Sequence, residues 1–91
     1  MDELQFDEYN EAEMLRHGVT AREVRQVFEL GFRILRNAND SNASHRLLGL
    51  TLGRRWLTIP VKETDLPGVW RPATAFPSSA GDIAKVKGKI S

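Results

Sequence analysis

Four arginines in one stretch of this chain, Arg46, Arg54, Arg55 and Arg71, are the residues best suited to chemistry on a phosphate. A guanidinium presents a planar fork of donors that holds two phosphate oxygens at once. Chemistry on a phosphate ester needs such a fork for the developing charge, with a base and an acid beside it. Histidine is the side chain type best suited to proton transfer, which makes His17 and His45 candidates, and the Thr74 hydroxyl is able to bond a phosphate or ribose. Each also has a structural reading. Arginines shield sheet edges, a histidine at a helix end complements the helix dipole, and a strand threonine pairs across a sheet. Trp56 and Trp70 suit stacking on bases, but also serve as core or interface anchors.

Other chemistries find little support. The chain has no cysteine, which excludes disulfides, thiol catalysis and cysteine-based zinc sites and fits a reducing cytoplasm. There is no glycine-rich phosphate loop and no Gly-x-Ser-x-Gly motif. Two histidines without a carboxylate at ligand spacing make a poor metal set, so no metal or cofactor is expected. No apolar run reaches membrane-spanning length, and the acidic start Met1-Asp2-Glu3 is unlike a signal peptide. The net charge of +1 says little, but its distribution is polarised. Acidic residues crowd the first 29 positions, whereas Arg33 to Arg55 holds five basic side chains and one acid, Asp40.

The elements that must position these groups are written in caps and periodicities. Asp7 is an N-cap candidate, and Tyr9, Ala12 and Leu15 form an apolar stripe expected to be buried. Gly18 supplies a left-handed stop. Thr20 and Glu23 form a capping box, with Val19 and Val24 as its hydrophobic staple, and Val24, Val27 and Phe28 give the inward face before Gly31. Phe32–Arg36 reads as a strand and Asn37–Ser44 as a polar surface turn. His45–Thr51 and Arg54–Val61 read as a hairpin around Leu52-Gly53. Alternation sends Arg54 and Arg55 to opposite faces, and His45 and Arg46 likewise. Pro60 lacks an N–H, so that end of the second strand is expected to be unpaired on one side. Gly68–Ala75 follows as a strand. Phe76-Pro-Ser-Ser reads as a turn with a capping serine, before a weakly amphipathic helix with Ile83, Val86 and Ile90. This order predicts one α+β domain over residues 1–91: two N-terminal helices on one face of a three- to four-stranded antiparallel sheet, with a short C-terminal helix.

Several motifs in this order carry a resemblance. Phe6-Asp-Glu, Arg16-His17-Gly18-Val19-Thr20, Val27-Phe28, Arg46, Gly49-Leu-Thr-Leu-Gly53-Arg54 and Arg71-Pro-Ala-Thr74-Ala75 resemble the BrnT-type toxins of bacterial toxin–antitoxin pairs, which are small RelE-like ribonucleases. The resemblance implies a RelE-like fold and a metal-independent endoribonuclease that inhibits translation in the cytoplasm. It implies free or ribosome-bound mRNA as substrate and a ribbon-helix-helix antitoxin as neutralising partner, with operator DNA reached only through that antitoxin. No membrane partner is implied. The chain departs from the family pattern where Phe76 follows Thr74-Ala75, where Asp82 stands for a glutamate and where Val86 stands for a tyrosine. On this reading Arg46, Arg71, Thr74 and His17 are the candidate catalytic residues, and Arg54, Arg55 and His45 the candidate RNA contacts. The competing expectation is a non-catalytic protein-binding module that keeps the toxin fold.

Overall fold

A computed structural model describes residues 1–37 and 43–90. The polar turn expected over Asn37–Ser44 therefore lies largely outside the described residues. The chain runs β1 (Glu3–Leu4), α1 (Glu8–Leu15), α2 (Ala21–Leu30), β2 (Arg33–Arg36), β3 (His45–Leu50), β4 (Trp56–Glu63), β5 (Val69–Pro72), β6 (Phe76–Pro77) and α3 (Ala80–Ile90). It is an α+β fold whose sheet has the order β1-β5-β4-β3-β2, with β6 also pairing β4. The sheet thus has six strands where three or four are expected. The added strands are two-residue segments, and β1 pairs parallel with β5, a long-range pairing that no local pattern announces.

The helix starts follow their caps. Thr20 Oγ1 accepts from the Glu23 backbone N–H at 3.2 Å while the Glu23 carboxylate accepts from the Thr20 N–H at 3.2 Å. Val19 and Val24 are both fully buried beside this box, as a staple requires. Asp7 and Asn10 form a second reciprocal box at 2.9 Å in each direction. Gly18, at φ 73°, takes the left-handed turn after α1. The phase of α1 differs from the expected stripe. Tyr9 is 73% exposed and Leu15 59% exposed, and the buried residues of the helix are Asn10 and Met14. Asn10 turns inward because its side-chain amide donates to the Gln5 and Pro72 carbonyls, each at 3.0 Å. A buried amide with partners outweighs the pull of an aromatic that is left at the surface.

Register divides the sheet into two faces. Leu47 faces Ile59, Gly49 faces Leu57 and His45 faces Val61. Leu47, Leu57, Ile59 and Val61 pack with Met14, Val19, Val24 and Val27 into the core under α1 and α2. Each such side chain contributes about 1.5–3 kcal/mol by leaving water. On the other face Arg46 stands opposite Pro60, Leu48 opposite Thr58 and Leu50 opposite Trp56. The third helix covers part of this second face, joined to Arg46 through Asp82 and sealed by the buried Val86. Helices therefore lie on both faces of the sheet. Ser79 caps α3 as expected, its Oγ accepting from the Asp82 N–H at 3.1 Å. Among the described residues no helix is long and apolar enough to cross a membrane.

Gly49 lets α2 approach the sheet. A Cβ there would sit 2.7 Å from Val27 Cγ1 and 2.8 Å from the Gly31 carbonyl oxygen. Gly49→Ala is expected to destabilise the fold by about 1–3 kcal/mol through overpacking. Gly53→Ala, whose Cβ meets only Thr51 Oγ1 at 3.7 Å, serves as the control. Urea unfolding checks this, and equal midpoints for the two variants would contradict the close approach.

Candidate functional site

The β3–β4–β5 register gathers cations. Arg46 faces Pro60 and Arg71 faces Lys62, and Pro60 and Lys62 are two residues apart on β4, so all three cations share the second face. The strand β4 changes partner beside them. Its outer edge pairs with β6 at Leu57 and Thr58 and with β5 from Val61 onward. Pro60 sits in the interval, and its carbonyl accepts from the Ala73 N–H at 2.9 Å. The carbonyl and amide of one strand residue point the same way, so the N–H that Pro60 lacks is missing from this edge, but the end of β4 is paired on both sides, Val61 with His45 and with Pro72, and not open on one side as expected. There the chain leaves β5 as Ala73-Thr74-Ala75 and bends around a concavity of about 470 Å³.

Arg46, Lys62 and Arg71 line this concavity together with Thr74 and Phe76 from the bend and Tyr9 and Glu13 from α1. Three of the four expected catalytic residues, Arg46, Arg71 and Thr74, are thus brought together. Among the described residues the buried Thr74 hydroxyl has no hydrogen-bond partner. An orphaned hydroxyl costs about 1–3 kcal/mol, which a ligand oxygen would offset. The fourth residue, His17, lies in the exposed turn after α1 and meets the site only through Phe76, ring edge to ring face with centroids 5.9 Å apart.

Both arginines already hold carboxylates. Arg46 grips Asp82 with Nε at 3.3 Å and Nη2 at 3.2 Å, and donates from Nη1 to the Arg36 carbonyl at 2.7 Å. Arg71 pairs with Asp7, the N-cap of α1. The Arg71 guanidinium and then the Asn10 backbone N–H hold the Asp7 carboxyl below its ordinary value of 3.8. These aspartates are a signal that spacing alone does not reveal, because 64 and 36 residues separate the partners.

The three expected RNA contacts fall elsewhere. Arg54 and Arg55 belong to a turn and not to β4, which begins at Trp56. Thr51 closes that turn, its N–H donating to the Arg55 carbonyl and its Oγ1 accepting the Arg55 N–H, and Arg54 takes φ 67° within it. The Arg55 side chain is drawn to the Gly18 carbonyl at 2.9 Å and the Glu23 carboxylate at 3.3 Å, where it joins this turn to the α2 capping box. Arg54 borders a separate groove of about 490 Å³ beside Trp56 and Val86. His45 lies on the helix-covered face against Trp70, ring centroids 5.4 Å apart. Tyr9, Glu13 and Lys62 are the site residues that sequence reasoning passes over. Tyr9 is assigned there to the buried helix stripe, and Lys62 lies near the end of β4.

Comparison with protein-family models and with curated protein sequences gave no match.

Asparagine caps helices about as well as aspartate, so Asp7→Asn keeps the α1 cap and removes only the charge facing Arg71. The lowered Asp7 pKa adds stability above the unfolded-state value near 3.8 and loses it as pH falls through the folded-state value. The wild type is expected to melt above Asp7→Asn at pH 7, with the gap closing below about pH 3.8. A gap independent of pH would contradict the ion pair.

Proposed function

We propose that this protein is a metal-independent endoribonuclease acting as the toxin of a type II toxin–antitoxin pair, as the BrnT-type and RelE-like resemblance suggests. The observation that carries the proposal is the convergence of Arg46, Lys62, Arg71 and the unpartnered Thr74 hydroxyl in one concavity. Three cations around a scissile phosphate favour the dianionic phosphorane over the monoanionic diester, which is the difference that lowers a barrier. The 2′-hydroxyl attacks phosphorus, the 5′-oxygen leaves, and the products are a 2′,3′-cyclic phosphate and a 5′-hydroxyl. Asp7 and Asp82 occupy the guanidiniums until a phosphate displaces them. The Arg71–Asp7 pair is partly solvated, with side chains 24% and 46% exposed, and exposed pairs are weak enough to exchange. Arg46 is more enclosed, at 17% beside Asp82 at 18%.

The antitoxin would cover this basic face. The edge strand β2 offers it a second contact, with Arg33 and Arg36 flanking Ile34, which is 51% exposed. Both the cytoplasmic location and operator binding through the antitoxin belong to this proposal. The two ion pairs favour a second reading, in which the arginines serve only the fold and the protein is a non-catalytic binding module.

Induced expression in bacteria separates the two. The wild type is expected to arrest growth and cut cellular mRNA. Arg71→Ala and Arg46→Ala, each shown to be folded, should restore growth, with cleavage slowed about 10²–10³-fold, the usual loss for one charge-stabilising donor. Normal growth and intact mRNA with abundant folded wild-type protein would leave the binding module as the reading that stands.

A further inference from the structure

A basic floor alone moves no protons, and neither histidine lines the concavity. The residues that do line it from the opposite side are Tyr9 and Glu13 of α1. Resting on the ribonuclease reading above, we propose that Glu13 is the general base and Tyr9 the general acid of the cleavage.

The argument starts from helix phase. Residues four apart stack on one side of a helix. Asn10 and Met14 are such a pair and face the core, so Tyr9 and Glu13, each one position earlier, form the adjacent strip. Two contacts fix where that strip lies. The Asn10 amide donates to the Pro72 carbonyl at 3.0 Å, and Asp7 pairs with Arg71. Both tie α1 to consecutive residues of β5, so the strip overlooks the strand that carries Arg71. Tyr9 has no place in the core and leaves 73% of its surface open. A large aromatic held at the rim of a cationic cavity has its phenol free to reach a ligand.

The chemistry balances with these groups. The Glu13 carboxylate takes the proton of the 2′-hydroxyl as the O2′–P bond forms. The P–O5′ bond breaks with its electron pair on oxygen, and the Tyr9 phenol delivers its proton there. Proton exchange with water then restores both side chains. The charged groups facing this pair are Arg16 on α1, which donates to Glu13 Oε1 at 3.2 Å, and Arg46, Lys62 and Arg71 across the cavity. Arg16 is largely solvated, at 75% exposure, so it does not hold Glu13 away from substrate.

A substrate with sulfur in place of the scissile 5′-oxygen separates the two roles, because a thiolate leaves without needing a proton. Tyr9→Phe should slow cleavage of ordinary single-stranded RNA by about 10²–10⁴-fold and return to near the wild-type rate on the sulfur-bridged strand. Glu13→Gln should be slow on both strands and lose the acidic limb of the rate–pH profile, and Glu13→Asp should recover part of the rate. Both positions are at the surface, so unchanged melting is the folding control. A Tyr9→Phe protein that cuts ordinary RNA at the wild-type rate, or is equally slow on both strands, overturns the acid. A Glu13→Gln protein that keeps its acidic limb overturns the base. In each of these cases an active wild type leaves the ribonuclease reading standing, whereas a wild type that cuts neither strand overturns both.

Discussion

In the β3–β4 ladder, the partner each residue faces decides which side of the sheet is apolar and which is charged. With Leu47 opposite Ile59 and Gly49 opposite Leu57, the side chains of Leu47, Leu57, Ile59 and Val61 turn toward α1 and α2, while Leu48 and Thr58 are buried on the other face. The same alternation sends Arg46, Lys62 and Arg71 to the other face. A slip of one residue would drive Arg46 into the core and Leu47 out of it. Burying an unpaired guanidinium is costly enough to forbid that state. Core packing and the basic floor are therefore one constraint, and the stability of the first guarantees the geometry of the second. Gly49 belongs to it too, because α2 seats closely on the ladder only where no Cβ intervenes.

The first helix is placed by polar bonds more than by oil. Its buried face holds one apolar side chain, Met14, and one amide, Asn10. Asn10 ties Gln5, which follows β1, to Pro72 at the end of β5, while Asp7 caps the helix and answers the charge of Arg71. Directional bonds fix the rotation of a helix about its axis, where a loose apolar contact would leave it freer. That rotation sets Tyr9 and Glu13 on the rim of the basic concavity. On the far side Asp82 of α3 binds Arg46 and Val86 seals part of the sheet.

Local signals were legible in the sequence because their physics is local. The Thr20–Glu23 box, the Val19–Val24 staple, the Gly18 stop and the Ser79 cap each involve residues within five positions of one another. Alternation also sufficed to separate His45 from Arg46. Features decided by distant partners escaped. The phase of α1 depends on a carbonyl 62 residues away, so a stripe of Tyr9, Ala12 and Leu15 looked like the core and was not. Arg54 and Arg55 read as strand because the Thr51 bonds that widen the turn involve a threonine with no turn signature. The parallel β1–β5 pair and the ion pairs of Asp7 and Asp82 were out of reach for the same reason.

Taken together, register, helix phase and the bend after Pro72 aim cations, a carboxylate, a phenol and an unpartnered hydroxyl at one volume. The central claim is that this volume receives the backbone of single-stranded RNA and that the RNA's own 2′-hydroxyl is the nucleophile. The most direct measurement incubates purified protein with an end-labelled RNA strand, in chelator, beside the same strand carrying one 2′-deoxy substitution at the cut position. The account expects the RNA to be cut, leaving a 2′,3′-cyclic phosphate and a 5′-hydroxyl, and the substituted position to stay intact. Intact RNA with folded protein, or equal cutting of both strands, would contradict it.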